Sequence, residues 1–369
     1  MLTHVRSALR SGCCLLILFT ATAASFPGFY QKWHFREVIP ALDLLAPSAS
    51  SLDHMLDGTA PRPFVYRQLF PAIASGIDSI TPIAAKERLF SFRTKGGSLV
   101  RERFFVSPLA RSHEYFFDYL VVYVFTFAFA FLASGSMFML VRSQGFNPLL
   151  ATAAASVMIL LMPVFMSVGG YYYDYAELAF LVIAVFIALN LPWIWMIPLA
   201  VLATWNKESF LLFVPCLYPL LRSKCSKEAS LAATGATGLA ASAVVFALRS
   251  RFAHNPGGSV EFHLHDQISY LLHPMKMLAP VDSTYGIICI PSLNPITVLV
   301  LVFLACEGWS GLSLAMRRFT FLAALINVPL FVLFCAPGEL RNLSFLYVSL
   351  LLLIAVQMKK AEGSSEGGS

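Results

Sequence analysis

Apolar runs of helical length, several of them short for a full crossing, follow one another along most of this chain, and most of the polar junctions between them are short. They lie at about 115–141, 147–167, 176–190, 192–205, 208–222, 229–249, 295–315, 319–336 and 342–357, with a further run near the N-terminus. A hydrocarbon core about 30 Å thick needs roughly 20 apolar residues per helical crossing. Backbone groups inside it must be satisfied within the protein, which leaves helices or closed barrels. The runs are too long for barrel strands and lack their alternation. The expected fold is therefore all-α: a polytopic transmembrane helical bundle of about 10 spans, plus interfacial or re-entrant helices. Composition agrees, with 58% hydrophobic and 12% charged residues, against about 25% charged in an ordinary soluble domain.

Residues 1–358 read as a single transmembrane domain. Arg6 and Arg10 precede an apolar run and a stretch of small residues at 20–25, the pattern of a secretory signal. The apolar character continues to residue 30, which favours an uncleaved first helix. Residues 31–114 form an external loop in which 65–83, moderately apolar but carrying Arg67 and Asp78, is an interfacial helix. A second external loop covers 250–275, and 276–292 is intermediate between loop and span. The tail 359–369, rich in Gly and Ser, is expected to be a disordered cytoplasmic segment.

The net charge of +6 is read as topology-setting Lys and Arg, which exceed on cytoplasmic junctions, with no nucleic-acid partner. Counting from a cytoplasmic N-terminus, Arg142, the group Arg222, Lys224 and Lys227, the pair Arg317 and Arg318, and the pair Lys359 and Lys360 all fall inside. Both termini are then cytoplasmic. The basic loop 84–113 falls outside and departs from the pattern. The seven Cys show no metal-ligand spacing and read as small hydrophobes.

Charges at or beside the hydrocarbon cost roughly 2.5–3.5 kcal/mol each on insertion scales, so each is a functional hypothesis. Four clusters qualify. The first runs from Asp57 through Arg62, Tyr66 and Arg67 to Pro71; its arginines suit phosphate or carboxylate, or anchor the chain at the headgroups. The second, Gly169 to Glu177, carries three tyrosines with Asp174 and Glu177 at one-turn spacing, suited to a helix N-terminus or to an active site. The third is Trp205-Asn206-Lys207-Glu208-Ser209. The fourth, Pro337 to Asn342, contains Glu339 and Arg341. All four fall on the non-cytoplasmic side. Around His263 and His265, with His254, Glu261, Asp266 and His273, a solvated loop outweighs a Zn or Mn site. Gly-rich phosphate loops and HExxH motifs are absent.

Taken in order, Arg62-Pro-Phe-Val-Tyr-Arg67-Gln-Leu-Phe-Pro, Tyr-Tyr-Asp174-Tyr, Asn206-Lys-Glu-Ser-Phe and Gly338-Glu-Leu-Arg341-Asn resemble bacterial polytopic glycosyltransferases of the GT-C type. The resemblance covers most of the chain from about 55 to 357. It implies transfer of a sugar from a polyprenyl-phosphate donor to a glycan or lipid-linked acceptor, at the outer face of the bacterial cytoplasmic (inner) membrane, in cell-surface polysaccharide assembly. It also implies a carboxylate in the first external loop acting as general base or metal partner, so a divalent metal cofactor is compatible with it. The adjacent acidic pair familiar at the start of that loop is absent here. Asp57, beside Arg62 and Arg67, is the expected catalytic carboxylate, with Asp43 second. Arg62, Tyr66, Arg67, Asp174, Glu177, Asn206, Lys207, Glu208, Glu339 and Arg341 would then bind substrate and lipid phosphate. A polysaccharide polymerase and a transporter or flippase for lipid-linked glycans or small molecules are the alternatives.

Topology reporters fused at Gly97, Tyr172, Cys225 and Gly338 check the orientation. Tyr172 and Gly338 are expected to report a non-cytoplasmic position and Cys225 a cytoplasmic one.

Overall fold

A computed structural model describes residues 2–38, 52–92, 108–258 and 260–366. Almost everything in these segments is helical. Six helices are long and apolar enough to cross a membrane: Leu9–Trp33, Phe116–Ser143, Pro148–Phe165, Lys227–Arg251, Leu314–Phe334 and Leu340–Glu362. The chain is an integral membrane protein built as a helical bundle. The principal elements are α1 (Leu2–Val38), α2 (Leu52–Leu56), α3 (Leu69–Ile80), α4 (Ile83–Phe92), α5 (Phe116–Ser143), α6 (Pro148–Phe165) and α7 (Asp174–Asn190). They continue with α8 (Met196–Asn206), α9 (Lys227–Arg251), α10 (Leu264–Leu272), α11 (Pro295–Gly308), α12 (Leu314–Phe334) and α13 (Tyr347–Glu366).

Helix α7 is the axis of the bundle. Its sequence is apolar on every side, and a helix of that kind belongs in an interior rather than at a surface. All but a few of its residues are buried. It packs closely on α5 and more lightly on α8. Helices α5 and α6 both lean on α1, where aromatic side chains interlock. Tyr30 and Tyr119 share a hydroxyl hydrogen bond of 2.7 Å, and Phe29 lies 4.3 Å from Tyr175. The outer helices keep large apolar side chains on their outward faces, among them Leu239 and Phe246 on α9, Phe303 on α11 and Phe321 on α12. Lipid tails are the environment that makes such exposure costless.

Helix starts follow local chemistry. Asn147, Ser226, Asn294 and Ser313 each accept a backbone N–H from three residues ahead, satisfying a donor that the first turn leaves free. Pro148 and Pro295 occupy first helical positions, where a missing N–H is harmless.

The expected spans are met unevenly. Residues 65–83 yield α3, whose 12 residues reach only about 18 Å, in keeping with an interfacial element. Residues 176–190, 192–205, 208–222 and 295–315 form helices, yet these are shorter than the six. Helix α1 continues through residues 31–38, beyond the point where composition suggests a loop. Helix α13 likewise continues to Glu366, because adding residues to an established helix is far easier than starting one. Within 276–292 the chain makes a hairpin, Asp282–Thr284 paired antiparallel with Ile287–Cys289. Tyr285 and Gly286 at its turn both have positive φ, as a two-residue hairpin turn requires. The hairpin docks on the bundle through an ion pair from Asp282 to Lys32 and a 2.9 Å hydrogen bond from the Tyr285 hydroxyl to the Leu160 carbonyl.

Close approach of α13 to the end of α11 depends on missing side chains. A Cβ added at Gly311 would stand 2.5 Å from Val356 Cγ1. Gly235 on α9, by contrast, has nothing within 4 Å. Gly311→Leu is expected to lower stability by about 1–3 kcal/mol, whereas Gly235→Ala should be neutral or raise it by up to about 1 kcal/mol. Thermal unfolding of the two purified variants in detergent checks the contrast.

Candidate functional site

Three of the four polar sequence clusters meet at one end of the bundle, joined by Arg67 from the remaining one. The chain reaches this point through two glycine-assisted turns. Gly170, at φ +124°, precedes Tyr171, and Gly338, at φ +80°, precedes Glu339; a side chain at either position would be strained. Asp174 and Glu177 occupy the first turn of α7, where the helix dipole favours carboxylates. Asn206 ends α8, and Lys207 turns the chain out of it in an extended conformation.

Charges are matched at close range. Lys207 Nζ lies 2.7 Å from Glu177 Oε2 and 3.8 Å from Asp174 Oδ1. Arg341 Nη1 lies 3.3 Å from Asp174 Oδ2, and its Nη2 is 3.2 Å from Glu339 Oε2. Arg67 Nη2 stands 3.7 Å from Glu208 Oε1. Neutral donors complete the set. Ser209 and Ser344 hydroxyls donate to Glu177 Oε1 at 3.1 and 3.0 Å. The Tyr171 N–H donates to Asp174 Oδ2 at 2.8 Å, and the Asn342 amide to Glu339 Oε2 at 2.8 Å. Asn206 donates to the Tyr173 carbonyl at 3.1 Å.

The tyrosines do more than line an interface. Tyr171 and Tyr173 stack 5.1 Å apart with rings 7° from parallel. Arg341 sits 4.9 Å from the Tyr171 ring centre and Arg67 4.8 Å from that of Tyr173. Each guanidinium thus lies against one ring of the stacked pair, and attraction to the rings helps to hold two cations near each other. Arg67 also donates to the Tyr173 hydroxyl. Burial raises the Tyr173 phenol well above its ordinary pKa, with Arg67 working against that shift. The phenol stays neutral and leaves Arg67 its full charge.

The two ends of this arrangement differ in access. Asp174, Glu177, Lys207, Glu339 and Arg341 are buried, and no room for a water exists among Glu177, Lys207 and Ser209. Glu208, with 26% of its side chain exposed, and Arg67, with 12%, form the more open edge. Among the described residues, the buried atoms Arg67 Nε and Glu208 Oε2 at this edge, and Asn206 Oδ1 and Arg341 Nε deeper in, have no hydrogen-bond partner. Unpartnered charged groups are costly, and such atoms are what an incoming anionic or hydroxylated ligand would complete.

Other expected site residues lie elsewhere. Asp57 accepts a 2.7 Å hydrogen bond from the Tyr115 hydroxyl, a contact that, as its largest cause, raises the Tyr115 pKa to about 12. Arg62 donates to the Gly257 carbonyl at 2.6 Å and so pins the 252–258 loop to the loop after α2. Tyr66 is buried in the hydrophobic core. Asp43 lies outside the described residues. His263 faces Asp266 at 3.2 Å and Glu261 at 3.5 Å; among the described residues no group of three or more potential ligands is arranged to hold a metal ion. Asn327 was not among the expected residues. It donates to the Asn342 carbonyl at 2.9 Å and accepts the Phe345 N–H at 3.1 Å, fixing the Arg341 segment. A lone Asn within the apolar run 319–336 was its signal.

Removing one partner of a buried ion pair strands the other, at a cost of about 3–5 kcal/mol. Lys207→Met should therefore lower the thermal midpoint of the purified protein markedly. Adding Glu177→Met to it should recover much of the loss, as read in a double-mutant cycle.

Neither a protein-family model nor a curated protein nor a solved structure matches this chain.

Proposed function

We propose that the protein is an integral membrane glycosyltransferase of the GT-C type, moving a sugar from a polyprenyl-phosphate donor to a glycan or lipid-linked acceptor. The observation that carries this reading is the convergence of Arg67, Lys207 and Arg341, from three distant parts of the sequence, beside a half-open edge with unpartnered polar atoms. A lipid phosphate brings negative charge to the membrane surface, and guanidinium groups bind it with directed N–H donors.

Transfer breaks the bond from the sugar's anomeric carbon to the phosphate oxygen, and the electron pair leaves with the phosphate. The acceptor oxygen forms the new bond and loses its proton to a carboxylate base. Arg67, aided by Arg341, stabilises the charge that grows on the leaving phosphate. The resemblance assigns the base to Asp57. Geometry favours Glu208, whose Oε2 has no hydrogen-bond partner among the described residues and whose other oxygen faces Arg67. Lys207, closed in against Glu177, holds the cluster together.

Basic residues at the opposite helix ends support an orientation with both termini cytoplasmic and the charged cluster facing outward across a bacterial inner membrane. About ten crossings result when the helices at 174–190, 193–206, 210–222 and 295–311, sheltered by their neighbours, complete the six longer ones.

A strain lacking this chain is expected to accumulate a polyprenyl-linked glycan one sugar short. Arg67→Ala, at normal protein level, should lower restored transfer by about 10²–10³, and Glu208→Gln should do the same while Asp57→Asn does not. Full complementation by Arg67→Ala would end this reading. Accumulated complete but unpolymerised units would favour a polymerase.

A further inference from the structure

The opposite end of the same helices carries a second feature, which the transfer chemistry leaves unused. Helix α12 runs from the charged cluster back to it over 21 residues, about 30 Å, the thickness of the hydrocarbon layer. There an open cleft of about 470 Å³ lies between the ends of α5 and α13 and the start of α12. Its floor is apolar, formed by Met316, Leu352 and Val356, and its rim holds Phe146, Lys359 and Lys360. No carboxylate lines it among the described residues.

The rim is basic. Lys359 Nζ sits 5.6 Å from the Phe146 ring centre. Lys360 donates to the Glu307 carbonyl and stands 3.8 Å from its carboxylate. Arg317 donates to the Ser310 and Leu312 carbonyls at 2.7 and 3.0 Å, and Arg142 to the Phe146 carbonyl. These two arginines brace the loops around the cleft and add positive charge. An apolar floor beneath a cationic rim matches an amphipathic anion: acyl chain below, phosphate above. Free phosphate would satisfy the rim and leave the floor uncovered. Basic pockets between membrane helices are suited to anionic headgroups, each nearby Lys or Arg adding to the attraction.

We infer that this cleft is a binding site for an anionic phospholipid, seated between the ends of α5, α12 and α13. The inference is independent of the glycosyl-transfer reading. It uses other residues at the other membrane face.

The test is native mass spectrometry of the full-length chain, delipidated in neutral detergent and titrated with phosphatidylglycerol or phosphatidylcholine. The expected result is one retained phosphatidylglycerol, preferred about tenfold over phosphatidylcholine and undisturbed by millimolar inorganic phosphate. Lys359→Gln with Lys360→Gln should weaken phosphatidylglycerol binding about tenfold and leave phosphatidylcholine unchanged. Both lysines are exposed, so the variant should keep its thermal midpoint. Gln144→Trp, which fills the mouth without changing charge, should weaken binding as well. Equal retention of the two lipids, displacement by inorganic phosphate, or unchanged binding in the lysine variant would overturn the inference.

Discussion

Three cations and four carboxylates are held where water reaches only the edge, and that is stable only while each charge has an opposite one within a few ångströms. Lys207 is matched by Glu177, Arg341 by Asp174 and Glu339, and Arg67 by Glu208. The groups come from α7, from the turn after α8, from the segment before α13 and from the approach to α3. Meeting the electrostatic requirement therefore fixes how four separate parts of the chain sit together. The glycine turns at 170 and 338 and the bonds from Asn327 serve this same meeting.

The remainder of the bundle carries that arrangement. Helix α7 can present Asp174 and Glu177 inward because its other faces are covered by neighbours. Those neighbours are in turn apolar on their outward faces, as a lipid environment demands. The stacked tyrosines add a local solution to a particular difficulty, since Arg67 and Arg341 repel one another. The ring beside each of them offsets part of that repulsion by attraction to its π system. At the far helix ends the basic residues are held differently, Arg142 and Arg317 by backbone carbonyls and Lys360 by Glu307.

Much of this was legible in the residues alone, for identifiable reasons. Membrane helices declare themselves because an apolar run has few other destinations, and α5, α6, α9 and α12 appear close to their expected bounds. Charges beside the hydrocarbon are conspicuous because they are expensive, which is why Asp174, Glu177, Lys207, Glu339 and Arg341 stood out. What sequence could not supply was pairing. Nothing local distinguishes Arg67, which enters the cluster, from Arg62, which clamps the Gly257 loop. Asp57 is the carboxylate that its sequence neighbours single out, and the Tyr115 hydroxyl it accepts from comes from a distant part of the chain. The stacking of Tyr171 on Tyr173 likewise has no local signature in a run of three tyrosines. Short helices such as α3 and α8 are decided by tertiary shelter, which no periodicity records.

In the proposed reaction the edge formed by Arg67 and Glu208 opens to the outer face and receives a lipid phosphate. A single cysteine at position 208, in an otherwise cysteine-free chain, tests it most directly. Labelling with a membrane-impermeant maleimide should proceed from the outside of intact cells and not from inverted vesicles, and polyprenyl phosphate should slow it in proteoliposomes. Labelling from the cytoplasmic side alone, or a rate indifferent to polyprenyl phosphate, would contradict the account.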